Sequence, residues 1–289
     1  MQSLLMVYGN STTEANYEEM NLWYSWVHIR DVLTMRAAHA VQRFELSKYQ
    51  PKNAVLNRKV LACYEIPDIE YCNAAHLKRL GHWQMMISNS FATGEGNYNE
   101  AHWTTVASTA DWADYADYAG ERGVFTVKMK AKGAVSPADY FTKEKLTALS
   151  KLPGFTACHL MEYHAELQMV QPATPPDEPL NFNLVCQISN AYAVAKEWDA
   201  FLEANPDVAD CFEMAPAIYV PIMNRIRDID LFKCPEWRAI QALAHLTLND
   251  VEGRRAPLLE DVGVDRSTIV DKKWMEYPDP VLIDSVDKW

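Results

Sequence analysis

Apolar and polar positions alternate along this chain in a pattern that changes period several times. Ser3–Tyr8 is a short apolar run closed by Gly9-Asn10, the pattern of a buried strand bounded by a turn. From Asn16 the period becomes helical. Thr13 or Asn16 can cap, and Glu18 and Glu19 sit in the first turn, where carboxylates favour the positive end of a helix. The helix is expected to run to about Leu33. On a wheel, Tyr17, Met20, Trp23, Tyr24, Val27, His28 and Asp31 share one arc, and Leu22, Trp26, Ile29 and Leu33 form a second. Two apolar arcs predict burial on two sides. Strands follow at Val41–Leu46 and Val60–Ile66, and a second helix, Ile69–Leu80, is opened by Pro67-Asp68. A fourth strand falls around Thr104–Ser108 or just before it.

The second half repeats this order. Phe125–Lys130 reads as a strand, and Ser136-Pro137 opens a helix with proline in its first turn. That helix stops at Lys151-Leu152-Pro153-Gly154. Phe155–Ala165 and Asn181–Ile188 read as strands, Ala191–Asn205 as a helix, and Ala217–Met223 as a closing strand. Each half carries a long polar loop at the same place, Ser47–Arg58 and Met169–Pro179. An internal period of about 120 residues points to duplication rather than a solenoid. Each copy, β-α-β-β-α-β, is a split-βαβ, ferredoxin-like unit whose sheet has helices on one face only. The bare faces of two such sheets can cover each other as a closed α/β barrel. The expected fold is thus α+β: a first barrel repeat over residues 1–120, a second over 121–225, and a C-terminal extension, 226–289, packed on the barrel.

Composition narrows the function. With 27 Lys and Arg against 39 Asp and Glu the formal charge is −12, which repels phosphate backbones and argues against nucleic acid and anionic membranes as partners. No run has the roughly 18 apolar residues of a membrane helix, and no basic stretch precedes the apolar start, so neither a membrane span nor a signal peptide is expected. The six cysteines are widely spaced and mostly flanked by apolar residues, as in reduced cytoplasmic proteins. Gly-rich nucleotide loops, G-x-S-x-G and H-E-x-x-H are absent from the sequence, which removes the commonest nucleotide, hydrolase and zinc-peptidase readings.

The segment Trp23-Tyr24-Ser25-Trp26-Val27-His28, followed by Arg43-Phe44-Glu45-Leu46 and, in the second half, by Leu152-Pro153-Gly154-Phe155, resembles the dimeric α/β-barrel superfamily, EthD-like branch. The resemblance covers about residues 3–223. It implies a barrel with a proton-handling histidine and an aromatic-lined pocket for a small hydrophobic, phenolic substrate. The superfamily includes lyases, isomerases and cyclases that need no cofactor, monooxygenases of polycyclic phenols, and haem enzymes.

On this basis the catalytic candidates are His28, Tyr24, Arg43 and Asp31. Asp31 lies three residues after His28, where a carboxylate can fix an imidazole tautomer. His28 would move a proton, while Tyr24 and Arg43 stabilise negative charge on oxygen. A core histidine satisfied by Asp31, and a structural Arg43–Glu45 pair, explain the same residues without chemistry. Trp23, Trp103, Tyr219 and His164 are substrate-binding candidates. No pair of histidines has metal-ligand spacing beside a carboxylate, so neither metal nor cofactor is expected. Aligning the halves sets Arg43 against Glu162 and His28 against Thr147, which makes the first half active and the second a cover. The expected activity is a cofactor-independent lyase. An isomerase or cyclase, a haem enzyme, and a non-catalytic binding or stress-response protein are the alternatives, and helix faces leave room for a homodimer.

Overall fold

The computed structural model describes residues 3–34, 37–81, 91–92, 98–112, 123–168 and 181–228. Its strands are β1 (Ser3–Ser11), β2 (Ala40–Leu46), β3 (Val60–Ile66), the two-residue β4 (Phe91–Ala92), β5 (Tyr98–Ser108), β6 (Gly123–Ala131), β7 (Phe155–Tyr163), β8 (Phe182–Ile188) and β9 (Phe212–Arg227). Its helices are α1 (Tyr17–Trp23), α2 (Ile29–Thr34), α3 (Ile69–Gly81), α4 (Pro137–Tyr140), α5 (Lys143–Leu149), α6 (Ala191–Ala204) and α7 (Pro206–Cys211). Neighbouring strands run β3-β2-β9-β6-β8-β7-β5-β1, and β1 returns to β3. Every pairing is antiparallel. The barrel that the superfamily resemblance implies is present: eight antiparallel strands close on themselves, so no long edge is left to pair with another chain. β4 only extends the end of β1.

Alternation along the strands creates three compartments. Leu4, Met6 and Tyr8 of β1 face the barrel interior with Phe44, Leu61, Trp103, Val185 and Tyr219. Leu5 and Val7 face outward, where Met20, Tyr24, Val27, Ile29 and Leu33 of the first helical segment cover them. In the second half Phe125, Leu160 and Ile218 point outward beneath Leu146, Val194 and Trp198.

Departures from the sequence pattern have local causes. β9 spans Phe212–Arg227 because it pairs with β6 through Phe212–Tyr219 and with β2 through Tyr219–Arg227. Its register slips on both sides of Arg43, and Pro221 falls at such an irregularity, where proline is tolerated. The helix expected from Ser136 breaks at Phe141, whose ψ is 62°, and restarts where the Thr142 hydroxyl accepts from the Lys145 N–H. The first helix is also interrupted. Tyr24–His28 form a π-turn between α1 and α2. The second apolar arc is therefore only half covered: Ile29 and Leu33 are buried, whereas Leu22 and Trp26 are 55% and 44% exposed.

The first long loop is a strap. Ser47 N–H donates to Ile218 O, and the Gln50 amide both donates to Ile218 O and accepts from Ile218 N–H. Val55 N–H donates to Pro216 O. The Met169–Pro179 loop and the extension beyond residue 228 lie outside the described residues. Among the described residues no helix is long and apolar enough to cross a membrane.

Close packing at the β6–β9 seam gives a direct test. A Cβ on Gly123 would lie 1.9 Å from the Tyr219 carbonyl oxygen, so the two strands would have to move apart. Gly123→Ala is expected to destabilise the protein by about 1–3 kcal/mol or more, the cost of overpacking, read as a lower denaturant midpoint.

Candidate functional site

Two rows of side chains cross the outer face of the first-half sheet. One row is Arg43, Ala62, Val7 and Glu100, each directly opposite the next on β2, β3, β1 and β5. The adjacent row is Val41, Tyr64, Leu5 and His102. Arg43 and Glu100 thus stand at opposite ends of a row whose middle, Ala62 and Val7, is small and apolar. Three strand spacings, about 14 Å, separate their backbones. Tyr24 descends from the helical layer above.

Arg43 holds this helix to the sheet. Its Nη1 donates to Asn21 O at 3.1 Å and to Ser25 Oγ at 2.7 Å, and Nη2 donates to Asn21 Oδ1 at 2.6 Å. The guanidinium carbon lies 4.4 Å from the centre of the Tyr24 ring. Side-chain binding to a helical carbonyl is one cause of an interrupted α-ladder, and the π-turn begins three residues after Asn21. Arg43 Nε is buried with no hydrogen-bond partner among the described residues.

The Tyr64 hydroxyl donates to the Tyr24 hydroxyl at 3.1 Å. Burial pushes both phenols above their ordinary range, and Arg43 pulls the other way. His28 packs against Tyr24 and Trp23, with ring centres 4.9 Å apart in both cases. Burial, reinforced by His76 and Arg43, lowers its pKa to about 3. The imidazole is therefore neutral throughout the ordinary pH range, and its Nδ1 has no partner among the described residues. On α3, His76 Nδ1 lies 2.9 Å from Cys72 O. His102 Nε2 lies 2.7 Å from Asn73 Oδ1, while its Nδ1 is buried and unpartnered among the described residues.

Glu100 is the group that the sequence pattern missed. It lies just after a Gly- and Asn-rich stretch. Strand alternation with His102 was the available signal. Its carboxylate is close enough to Tyr24, Tyr64 and Cys72 to raise the pKa of all three. Burial raises its own pKa from 4.5 to about 7.

Of the sequence-predicted residues, Tyr24, His28, Arg43 and Trp23 come together. The others do not. Asp31 is buried but makes no hydrogen bond to His28, whose Nδ1 is without a partner among the described residues. Arg43 does not pair with Glu45, which instead accepts from the Tyr17 hydroxyl at 2.8 Å. Trp103 and Tyr219 lie on the barrel-interior side of the sheet, away from His28. His164 sits in the second half, 3.6 Å from Glu162 and 3.3 Å from Glu166. The polar centre therefore occupies the layer between helices and sheet, and not the inside of the barrel. Thr147, the counterpart assigned to His28, only turns its hydroxyl to Lys143 O. Among the described residues no group of three or more His, Cys, Asp or Glu could hold a metal ion.

No protein-family model and no curated protein matches the chain. Solved structures do. An anthrone oxidase-like protein shares 14% identity at a TM-score of 0.46, covering 78% of this chain and 93% of its own. A candidate monooxygenase from Fusobacterium nucleatum subsp. nucleatum shares 10% at 0.43, covering 77% and 93%. Another from Lactobacillus acidophilus shares 9% at 0.41, covering 78% and 96%. The lyase expectation is corrected here: these proteins are named for oxidase and monooxygenase chemistry. The local geometry also removes its catalytic pair, since His28 is a neutral, stacked imidazole without Asp31.

Glu100 makes stability pH-dependent in a defined direction. With a folded pKa above the unfolded one, the native state binds the extra proton, so stability falls as pH rises from 4.5 through about 7. Glu100→Gln removes that loss. It is expected to raise stability at pH 8 by on the order of 2 kcal/mol and to leave it nearly unchanged at pH 4, measured by denaturant titration at the two pH values.

Proposed function

We propose that the helix–sheet layer of the first half is the active site of an oxidase or monooxygenase acting with dioxygen on an activated aromatic substrate of the phenol or anthrone type. The observation that carries this reading is the convergence of an uncommitted carboxyl, Glu100, on the Tyr24–Tyr64 hydroxyl pair, with Arg43 over Tyr24. Unsatisfied buried donors and acceptors are costly in a resting protein. His28 Nδ1, Arg43 Nε and His102 Nδ1 all lie in this layer, and a polar ligand would satisfy them. The names of the solved structures above agree with the reading in chemistry.

Glu100 takes a proton from the substrate hydroxyl or from the acidic carbon beside a ring carbonyl. A carboxyl whose pKa lies near neutrality is matched to that task. Arg43 and the paired phenols stabilise the oxygen on which negative charge develops. Trp23 and His28 offer ring faces for stacking. The delocalised anion is the electron-rich form that reacts with dioxygen. For a methylene carbon the balance is CH2 + O2 → C=O + H2O, with the substrate as reductant and dioxygen as oxidant.

The EthD-like branch and the tandem duplication belong to the same proposal. Their support is the matched strand order, β5-β1-β3-β2 in one half and β9-β6-β8-β7 in the other, joined at the β2–β9 and β5–β7 seams. We assign the active repeat to residues 1–120, the cover to 121–225 and the extension to 226–289. The apolar second layer, built on Phe125, Phe141, Leu146 and Trp198, supports a single site per chain.

The test is oxygen uptake with a panel of anthrones, hydroquinones and naphthols. Turnover is expected to rise with pH to a plateau above about pH 7. Glu100→Gln should lower kcat by about 100-fold or more, whereas His28→Phe should keep the pH profile. Uptake that is absent across the panel, or unchanged in Glu100→Gln, would refute the assignment.

A further inference from the structure

The second half carries a pair of thiols that the oxidase reading does not use. Cys158 on β7 stands directly opposite Cys186 on β8. The backbone decides which kind of pair they make. Cys158 N–H donates to Thr109 Oγ1 at 2.9 Å, and Cys158 O accepts from Thr109 N–H at 3.0 Å. Both backbone groups of Cys158 therefore turn toward the β5 side of β7, away from β8. Tyr163, an odd number of residues further along, turns the other way, and its N–H donates to Asn181 O at 2.9 Å.

Cys158 and Cys186 are accordingly a non-hydrogen-bonded pair of an antiparallel ladder. That is the closer of the two kinds, with Cα atoms about 4.5 Å apart. A disulfide accepts Cα separations of about 4.4–6.8 Å, so an S–S bond is within reach with both strands where they stand. The two side chains point to the same face, into the apolar layer beneath Leu146, Val194 and Trp198, and neither is exposed. They also touch. Burial, then a hydrogen bond with the Cys158 thiol, pushes the Cys186 thiol well above its ordinary range. Cys63 is equally buried in the first half, but its cross-strand neighbours are Met6 and Gln42, neither of them a thiol.

Both cysteines are free thiols in the resting protein, and burial makes them slow to react, since the thiolate is the reactive form. An oxidant must therefore be small and enter when the layer opens locally. Peroxide is such an oxidant. Once one sulfur is oxidised, the other is already in contact and captures it before oxidation can go further.

We propose that Cys158 and Cys186 are a site of oxidative modification by peroxide, closing to a cross-strand disulfide that locks the second half. The first thiolate attacks H2O2, the O–O bond breaks, and a sulfenic acid and hydroxide form; the thiol proton converts that hydroxide to water. The second sulfur then attacks the sulfenic sulfur, forming S–S and releasing another water. The balance is 2 Cys–SH + H2O2 → Cys–S–S–Cys + 2 H2O, with two electrons passing from the sulfurs to the peroxide oxygens. The site is independent of the oxidase reading, since it lies in the other helix–sheet layer.

The test exposes the full chain to hydrogen peroxide, alkylates the remaining thiols and maps the peptides by mass spectrometry. A linked Cys158–Cys186 peptide is expected, two hydrogens lighter than the two thiol peptides together and lost on reduction with dithiothreitol, while Cys63 stays a thiol. The thermal midpoint of the oxidised protein should rise by about 4 °C or more and fall back on reduction. In Cys186→Ala the linked peptide and the rise should both vanish. Half-buried Cys211 reports that the peroxide dose was sufficient. Recovery of Cys158 and Cys186 as free thiols or as separate sulfinic acids, once Cys211 has reacted, would overturn the proposal. Oxidation of Cys63 to the same extent, or a midpoint that does not rise, would overturn it too.

Discussion

The anchoring of Arg43 is the contact on which the first-half architecture depends. A guanidinium planted on the outer face of a sheet cannot stay buried without partners, because the desolvation of an unpaired charge is prohibitive. Asn21 and Ser25 supply them from the helix above, and the Tyr24 ring covers the cation. The helix is thereby fixed in rotation and height. Its π-turn carries Tyr24 and His28 into the layer, with the Tyr64 hydroxyl as the lower contact. Among the described residues the second layer is packed with aromatic and aliphatic side chains.

Strand alternation lets β2 serve two compartments at once. Arg43 looks toward the helices, and its neighbours Gln42 and Phe44 look into the barrel. A slip of one residue would exchange the two sets. The β2–β9 seam absorbs irregularity on the β9 side instead: the register slips around Arg43 while β2 keeps an unbroken ladder to β3. The strap from Ser47 to Val55 then fastens β9 on the other side of the crossing, through Gln50 and the backbone of Ile218. Together these contacts hold the row from Arg43 to Glu100 in place.

Much of the fold could be read from residue patterns because its signals are local. Val60–Ile66 and the start of the Ile69 helix follow directly from an apolar run and from Pro67-Asp68. The non-local parts could not be read this way. The length of β9 depends on its having two partners, and the break at Phe141 depends on the packing of that ring. The site was half legible. Tyr24, His28 and Arg43 carry a recognisable motif, but the π-turn at Tyr24–His28 is not revealed by any spacing, and an i, i+3 spacing did not make Asp31 a partner of His28. Trp103 and Tyr219 were placed by residue type alone, and type does not say which face of a strand a ring occupies. Glu100 was missed because a carboxylate gains its chemistry here from burial, a property of the assembled layer.

Ionisation of a bound phenol tests the central claim most directly. Para-nitrophenol absorbs differently as phenol and as phenolate, so its pKa on the protein can be read by titration in visible light. If Arg43 and the Tyr24–Tyr64 pair form an oxyanion-stabilising site, the bound phenol will ionise at a lower pH than the free one, and Arg43→Met will abolish the shift. A bound phenol with its free-solution pKa, or a shift that survives Arg43→Met, would contradict it.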